Sequence, residues 1–575
     1  MTKFILILLV PLCLFAGTYW VDDNGAATWA NAESATPLEG TNCTTYALAN
    51  TNADAGDTVY YRAGTYTISS GNAIDPTNTG TAGNMIVFMA YNSENVIFDY
   101  TGSTATDYAI DLNSDTGTIR SYIKVHGITF LNFPKHLWIL RGKYNEISYC
   151  TLTGFPSAFD GDDIGGIWSA SYIYRKAQYN WIHNCVFGNW GACEPFGYDK
   201  GVVFQVGLET STTDSTRFNL VEYDTMYHGG HHVISFNGSY NIYRYGYYYN
   251  DPWCPSVDST FSTRTMFQTG TSVDGRYNLV HGNRIGYGGP KNKDEIGGAG
   301  GTLAGAHNIW RRNEFVNIYT DAMWVTKYSG QTTVDSNKVY NNIYFGGGYG
   351  SYQWNPGGDD PSPYWNWSYT HAVCMSEGAT TVFDNVWKNN IFCSNKNYYG
   401  DNLSFINITT HAAPTLQEIS NNWIDAYGYP LFVDTVGTAD PTDPGEYDFN
   451  LQSESACIDS GAWLTTITTA NGSGTSFVVA DAGYFCDGFG IGDSISTSGV
   501  TGDTIQFDGI STYSVITDIN YSTNTITVDR SVTWTQNLGV GLKYSGDKMD
   551  LGAYEYIETG GTPASVKKLD LILVE

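Results

Sequence analysis

The chain has 575 residues, with 64 glycines, 44 tyrosines, 15% aromatic and only 15% charged residues, a composition that favours many short strands and turns over charge-laced helices. Its formal net charge is −29, yet Arg120 to Gly330 hold 18 Lys+Arg against 17 Asp+Glu, so the acidic excess sits at the two ends. Acidic ends argue against a nucleic-acid partner, and ten cysteines without a CxxC pair argue against a zinc ribbon or a disulfide scaffold; the near-neutral centre can still hold an anionic ligand, because exposed charges beyond about 10 Å are screened.

Lys3 and the unbroken apolar run Phe4 to Ala16 have the charge and length of a secretory signal peptide and are too short to span a bilayer. Residues 1–17 are therefore expected to be removed and the mature chain exported to the periplasm, cell surface or medium. No later segment is apolar enough to cross a membrane.

From Asn145 onward one pattern recurs: Asn, any residue, apolar, two residues, then Asn or Cys, any residue, apolar. It reads "NEISYCTL" at Asn145, "NWIHNCVF" at Asn180, "NLVEYDTM" at Asn219, "NIYRYGYY" at Asn241, "NLVHGNRI" at Asn278, "NIWRRNEF" at Asn308, "NKVYNNIY" at Asn337 and "NVWKNNIF" at Asn385, with Asp224 and Gly246 replacing the second Asn. Degenerate copies flank it, "YIKVHGITF" at Tyr122 and "QEISNNWI" at Gln417. Steps of 22 to 48 residues imply a minimal unit of about 22 residues with loops added. One such unit cannot bury its own apolar face and must stack on its neighbours, which predicts a parallel β-solenoid. Stacking at ~4.8 Å would let the repeated Asn side chains bond one another and the corner backbone, and would seat Cys150 and Cys185 at one inward position.

A second strand precedes each copy: "HLWILR" at His136, "KGVVFQV" at Lys200, "HVISFN" at His232, "DAMWVTK" at Asp321 and "HAVCMSE" at His371. With Ile234, Phe236, Met323 and Val325 pointing inward, Arg141, Gln205, Ser235, Asn237, Trp324, Thr326 and Ser376 line its outer face. His232 shares its corner with His136, His371 and Asp321 and reads as a fold requirement; His228 and His231 have no counterparts. Long loops, Gly188 to Arg217, Asp251 to Tyr277 and Gly286 to His307, flank the short step from Asn219 to Asn241, which makes that coil the expected floor of a cleft. Those loops carry Trp190, Trp253, Phe261 and Tyr287, whose faces can stack on sugar rings. They also carry Arg264, Arg276, Lys291 and Lys293, with Arg284, Arg311 and Arg312 beside them. Residues 463–548 read as a small all-β insert for capping, spacing or weak glycan binding, and 549–575 as a final strand and tail.

Three features carry a resemblance to the right-handed parallel β-helix proteins of the pectate-lyase type: "TYWVDDNG" with "AGDTVYYRAGTYTI" near the start, the Asn-x-Ile-x-x-Asn-x-Phe coils, and "SACIDSGA" with "DLGAYEY" near the end. The resemblance implies an all-β chain with a β-helix over 18–462, a cap helix within Cys43 to Ala53, and a sugar chain lying along the outer face named above. It also implies a polysaccharide substrate, anionic given the basic centre, with glycoside hydrolysis and a non-catalytic adhesion or filament role as rival readings. β-Elimination on a uronic-acid polymer suits the cluster, since the uronate charge must be neutralised while a base removes the adjacent proton. The base is expected among His231, His228, Lys291, Lys293 and Tyr248, and the neutraliser is Arg311 or Arg312. Asn237, Trp253, Arg264, Arg284, Tyr287, Trp324 and Lys327 are the expected substrate contacts. Resembling lyases hold Ca²⁺ with acidic residues; "FDGDDIGG" (Asp160, Asp162, Asp163) offers a loop Ca²⁺ site or plain turn chemistry, and "HGGHH" lacks a carboxylate at metal-ligand spacing.

Overall fold

A computed structural model describes residues 16–113, 119–154, 169–190, 201–207, 216–229, 232–249, 265–269, 275–286, 299–318, 321–327, 331–346, 372–375, 381–394, 406–407, 417–436, 447–495 and 499–557. Three parallel sheets wind as one right-handed β-helix. Sheet I has 13 strands from Thr18–Val21 to Glu418–Ser420 and contains the first half of every Asn repeat; sheet II has 11 and contains the second half; sheet III has 10, from Tyr108–Leu112 to Ile406–Asn407. The chain passes from III to I to II in each coil. All five segments aligned from sequence as a separate set contribute a strand to sheet III, Lys135–Leu140, Val202–Val206, His232–Phe236, Met323–Val325 and Val373–Met375; Lys200 and His371 lie outside the described residues.

The helix Tyr46–Asn52 closes the first coil, with Thr45 accepting the Leu48 N–H as its cap and Ala49 and Ala53 packed on the core. Inside the tube equivalent residues stack: Phe315 on Tyr344 at 4.7 Å and Tyr344 on Phe392 at 4.5 Å between ring centroids.

Two asparagine ladders hold the corners on either side of sheet I. In the first, Asn145, Asn180, Asn219, Asn241, Asn278, Asn308, Asn337 and Asn385 each pass a side-chain N–H to the next Oδ1 at 2.8–3.2 Å. That same Oδ1 also accepts the preceding rung's backbone N–H. The second runs Asn283, Asn313, Asn342, Asn390, Asn422. At about 1 kcal/mol net per bond the gain is modest, but every rung before Asn422 is a buried amide that would cost more if left unpaired. Gly246 interrupts the second ladder because a Cβ there would collide with the inward Tyr248 ring. Asp224, fully buried, occupies the rung before it: Oδ1 accepts the Cys185 N–H at 2.7 Å, while Oδ2 has no partner among the described residues.

The residue before each rung of the first ladder adopts the left-handed conformation, and from Tyr122 to His307 it is aromatic: Tyr122, Tyr144, Tyr179, Phe218, Tyr240, Tyr277, His307. Their rings stack 4.7–5.7 Å apart along the corner from sheet III to sheet I. Stacking offsets the ~1 kcal/mol or more that a non-glycine residue costs there.

Residues 465–542 build a six-stranded antiparallel sheet that lies on the outer face of sheet I, against Trp181, Leu220, Ile242, Leu279, Ile309 and Val386. Among the described residues the last parallel pairings are the strand Glu418–Ser420 and the bridge of Ile391 to Trp423, short of residue 462. Instead Phe432, Tyr447, Phe449, Leu451, Cys457 and Leu551 cover sheet II, packing on Tyr247, Val316, Ile343 and Ile391. "SACIDSGA" and "DLGAYEY" do lie side by side, with Leu551 N–H donating to Cys457 O at 3.0 Å.

Candidate functional site

Sheets I and II are both covered by described elements; no described element packs on the outer face of sheet III, although Gln205, Ser235 and Thr302 on it are only 5%, 1% and 0% exposed. In-register pairing defines one row of strand positions along that sheet: Asp111, Trp138, Tyr172, Gln205, Ser235, Gln268, Thr302, Trp324, Cys374. Phe204, Val206, Ile234, Phe236, Leu303, Met323 and Val325 belong to the core, so the strand alternation turns Gln205, Ser235, Thr302 and Trp324 outward. Trp138 to Trp324 is six coil steps, about 29 Å at ~4.8 Å each. Both tryptophans have an indole N–H without a partner among the described residues.

The N-terminal end of the row is an aromatic platform. Trp138 meets Tyr108, Tyr172 and Tyr174 at 5.2, 4.7 and 5.2 Å between centroids. Lys135 Nζ donates to Tyr108 Oη at 3.0 Å and lies 4.7 and 5.0 Å from the Tyr108 and Trp138 ring centroids. Burial holds the Lys135 ammonium below its ordinary pKa, partly opposed by Asp111. Burial, with Asp75 beside it, pushes the Asp111 carboxyl up to about 6. An apolar ring surface beside a desolvated ammonium can stack a sugar and pair its carboxylate. Sequence reasoning put "HLWILR" on the right strand but one residue out of register, because Lys135 and not His136 aligns with His232, and it passed over Lys135 and Trp138; the alternation of Trp138 with the core residues Leu137 and Ile139 was the signal that could have found the tryptophan.

The expected site residues divide. His231, Lys291, Lys293, Trp253, Phe261, Arg264 and Tyr287, with Asp160, Asp162 and Asp163, lie outside the described residues, as do residues 1–15 of the expected signal peptide. Trp324 is half-buried on sheet III, and Lys327 is exposed just beyond that strand. Asn237 follows its sheet III strand but is buried, its backbone N–H on Val206 O at 2.7 Å.

Four other expectations are corrected. Arg311 is on sheet I under the C-terminal sheet, 4% exposed, with both terminal nitrogens on Asp503 at 2.6 and 2.5 Å and one on Tyr340 Oη at 3.1 Å. Arg312, at the next corner, reaches Glu555 at 3.5 Å. Arg284 is on sheet II, paired with Glu314 and donating to Tyr447 O at 3.0 Å. Strand register therefore sends Arg284 and Arg311 to two different covered faces, so these two do not share one cleft. Tyr248 points into the tube, and burial raises its hydroxyl well above the ordinary range, which removes it as a base.

The histidine cluster is also redrawn. His228 has counterparts after all: with φ 56° it occupies the corner after sheet II that Asn132, Asn189, Asn317, Gly346 and Ser394 occupy in other coils. Its Nδ1 bonds Asn189 Oδ1 of the preceding coil at 2.6 Å. His232 is buried and begins its strand in register with Val202. His136 is one residue further along its strand, since the register carries His232 through Val202 and Ser169 to Lys135; it bonds Gly154 O at 3.2 Å, and burial lowers its pKa to about 4, so it stays neutral. Among the described residues no group of three His, Cys, Asp or Glu could hold a metal ion, and no helix is long and apolar enough to cross a membrane. Cys43, Cys150, Cys185, Cys393, Cys457 and Cys486 are free and buried.

Comparison with known proteins agrees with this architecture. Residues 25–186 match the family described as Pel9A-like, right handed beta helix region. No curated protein matches the chain. Similar solved structures include pectate lyase Pel9A (12% identity, 79% of this chain and 94% of that one, TM-score 0.42) and the PL6 family polysaccharide lyase Pedsa3628 from Pseudopedobacter saltans (14%, 72% and 96%, 0.39). A third is a mannuronic acid specific family 6 lyase from human gut microbiota (13%, 71% and 92%, 0.37). The chain is a right-handed parallel β-helix protein that resembles the pectate-lyase type, with the Pel9A-like match spanning its first coils and the Lys135–Trp138 platform.

Proposed function

We propose that the protein is exported and cleaves an anionic, uronic-acid polysaccharide by β-elimination along the outer face of sheet III. The observation that carries the reading is the row on that face, in which hydrogen-bonding side chains at Gln205, Ser235 and Thr302 run between Trp138 and Trp324. Trp138 and Tyr108 would stack sugar rings, and Lys135 would pair a uronate carboxylate at that end. At the reacting sugar the carboxylate must be neutralised so that a base can take the proton on the adjacent carbon; the C–O bond to the next sugar then breaks and leaves a carbon–carbon double bond. His231, immediately before the sheet III strand His232–Phe236, and Lys291 are the proposed bases.

The unsaturated uronate product absorbs in the ultraviolet, which gives the test. The full mature chain is incubated with alginate, pectin and glycosaminoglycans, with and without Ca²⁺. A rise in absorbance on one polymer, lost in His231→Ala or Lys291→Ala at unchanged thermal stability, supports the reading. Silence on every polymer overturns it.

A further inference from the structure

A cavity of about 280 Å³ lies at the seam between the aromatic corner stack and the C-terminal sheet, close to the lower end of ordinary ligand pockets, about 300 Å³. Tyr277 and His307 form its solenoid wall, parallel at 4.7 Å. Phe489 and Tyr521 face them from the other side, Tyr521 5.9 Å from the Tyr277 ring. Tyr521 Oη donates to Phe485 O at 3.0 Å, which fixes that ring.

Polar groups share the lining without leaving it charged. Lys338 Nζ is 2.7 Å from Asp481 Oδ2, so the one cation and the one carboxylate of the lining neutralise each other. Burial holds the His307 imidazole below its ordinary pKa, and so neutral. Ser522 is exposed at the rim, and the Asn524 amide is oriented by its bonds to Ala482 N–H at 3.0 Å and Ala480 O at 3.4 Å. Docking does not depend on this cavity, because Arg311 with Asp503 and the apolar contacts of sheet I hold the seam elsewhere.

Aromatic walls with hydroxyl, amide and paired-charge groups are complementary to a molecule that has apolar C–H faces and many hydroxyls but no net charge. A uronate here would bring an unpaired charge beside a carboxylate that is already satisfied. We propose that the seam is a binding site for one or two sugar rings of a neutral glycan, separate from the sheet III face. It would tether the protein to neutral chains or side branches that accompany an acidic polymer.

The test is calorimetric titration of the full mature chain with cellotetraose, mannotetraose, galactotetraose and, as the charged control, tetragalacturonate. Ser522→Trp fills the cavity from an exposed position, so the fold should survive; circular dichroism checks this. The expected result is that at least one neutral tetrasaccharide binds, that Ser522→Trp weakens it tenfold or more, and that Phe489→Ala weakens it in parallel. The proposal is overturned if no neutral probe binds, if binding survives Ser522→Trp, or if that substitution affects only tetragalacturonate.

Discussion

Replacing Arg311 with Met separates a docking role from a catalytic one. The substitution keeps the aliphatic bulk and leaves Asp503 buried, with only the Cys486 N–H at 2.8 Å still donating to it among the contacts named here. Removing one partner of a buried ion pair costs about 3–5 kcal/mol. The apolar seam of Trp181, Leu220, Ile242, Leu279, Ile309 and Val386 is worth more than that even at the low end of about 1.5 kcal/mol per side chain, so the C-terminal sheet should stay docked and the loss should appear as stability. If the sheet melts as its own unit, at about 4–8 °C per kcal/mol for 60–100 residues, its transition should fall by at least ~12 °C. If the whole chain melts together, an unfolding entropy near 2.1 cal/mol/K per residue makes the shift only about 3–4 °C. Arg311→Met/Asp503→Asn, which removes both charges but keeps an acceptor for Cys486, should recover most of the loss. Calorimetric melting and turnover on the preferred polymer are measured together. Unchanged melting with turnover reduced a hundredfold would show that Arg311 touches substrate and would refute the docking assignment.

Three further outcomes are expected. Asp224 has its folded pKa raised well above the ordinary value by burial, so the stability of its neutral form is complete below the unfolded pKa of about 3.9 and is lost as pH rises toward the folded value. Asp224→Asn, restoring an amide rung, should therefore melt higher than wild type at pH 8, with the gap closing toward pH 4; a gap independent of pH contradicts this. Trp138→Ala should weaken polymer binding by about 1–2 kcal/mol, a five- to thirtyfold rise in KM, and an unaltered KM would remove the platform from the site. His228→Asn should keep both fold and turnover because Asn holds that corner in neighbouring coils, whereas His228→Ala should lose about 1 kcal/mol in denaturant titration; a loss of turnover in His228→Asn would reinstate the imidazole as chemistry.

The solenoid was legible because its signal repeats. Eight Asn copies can satisfy their amides in only one way, and the structure pairs them as the spacing implied. What single-coil reading missed was the identity of covered faces. Arg284 and Arg311 look like cleft cations in a string of letters, yet they become buried partners once residues some 160–190 positions later fold back over them. His228 seemed unique because its counterparts are Asn, Gly and Ser, related by backbone conformation and not by chemistry. Trp138 was overlooked for the opposite reason: an aromatic in a core strand reads as packing until register shows which way it points.

The two ladder positions in a coil are always five residues apart, as in Asn278 and Asn283 or Asn337 and Asn342, while successive coils differ by 22 to 48 residues. Nearly all that variation falls on either side of sheet III. The coil thus has a gauge that cannot be altered and a margin that can, and the margin borders the sheet on which no described element packs. Loop grafts there should change which polymer is held without unsettling the stack, whereas one residue added between paired rungs would throw every later coil out of step.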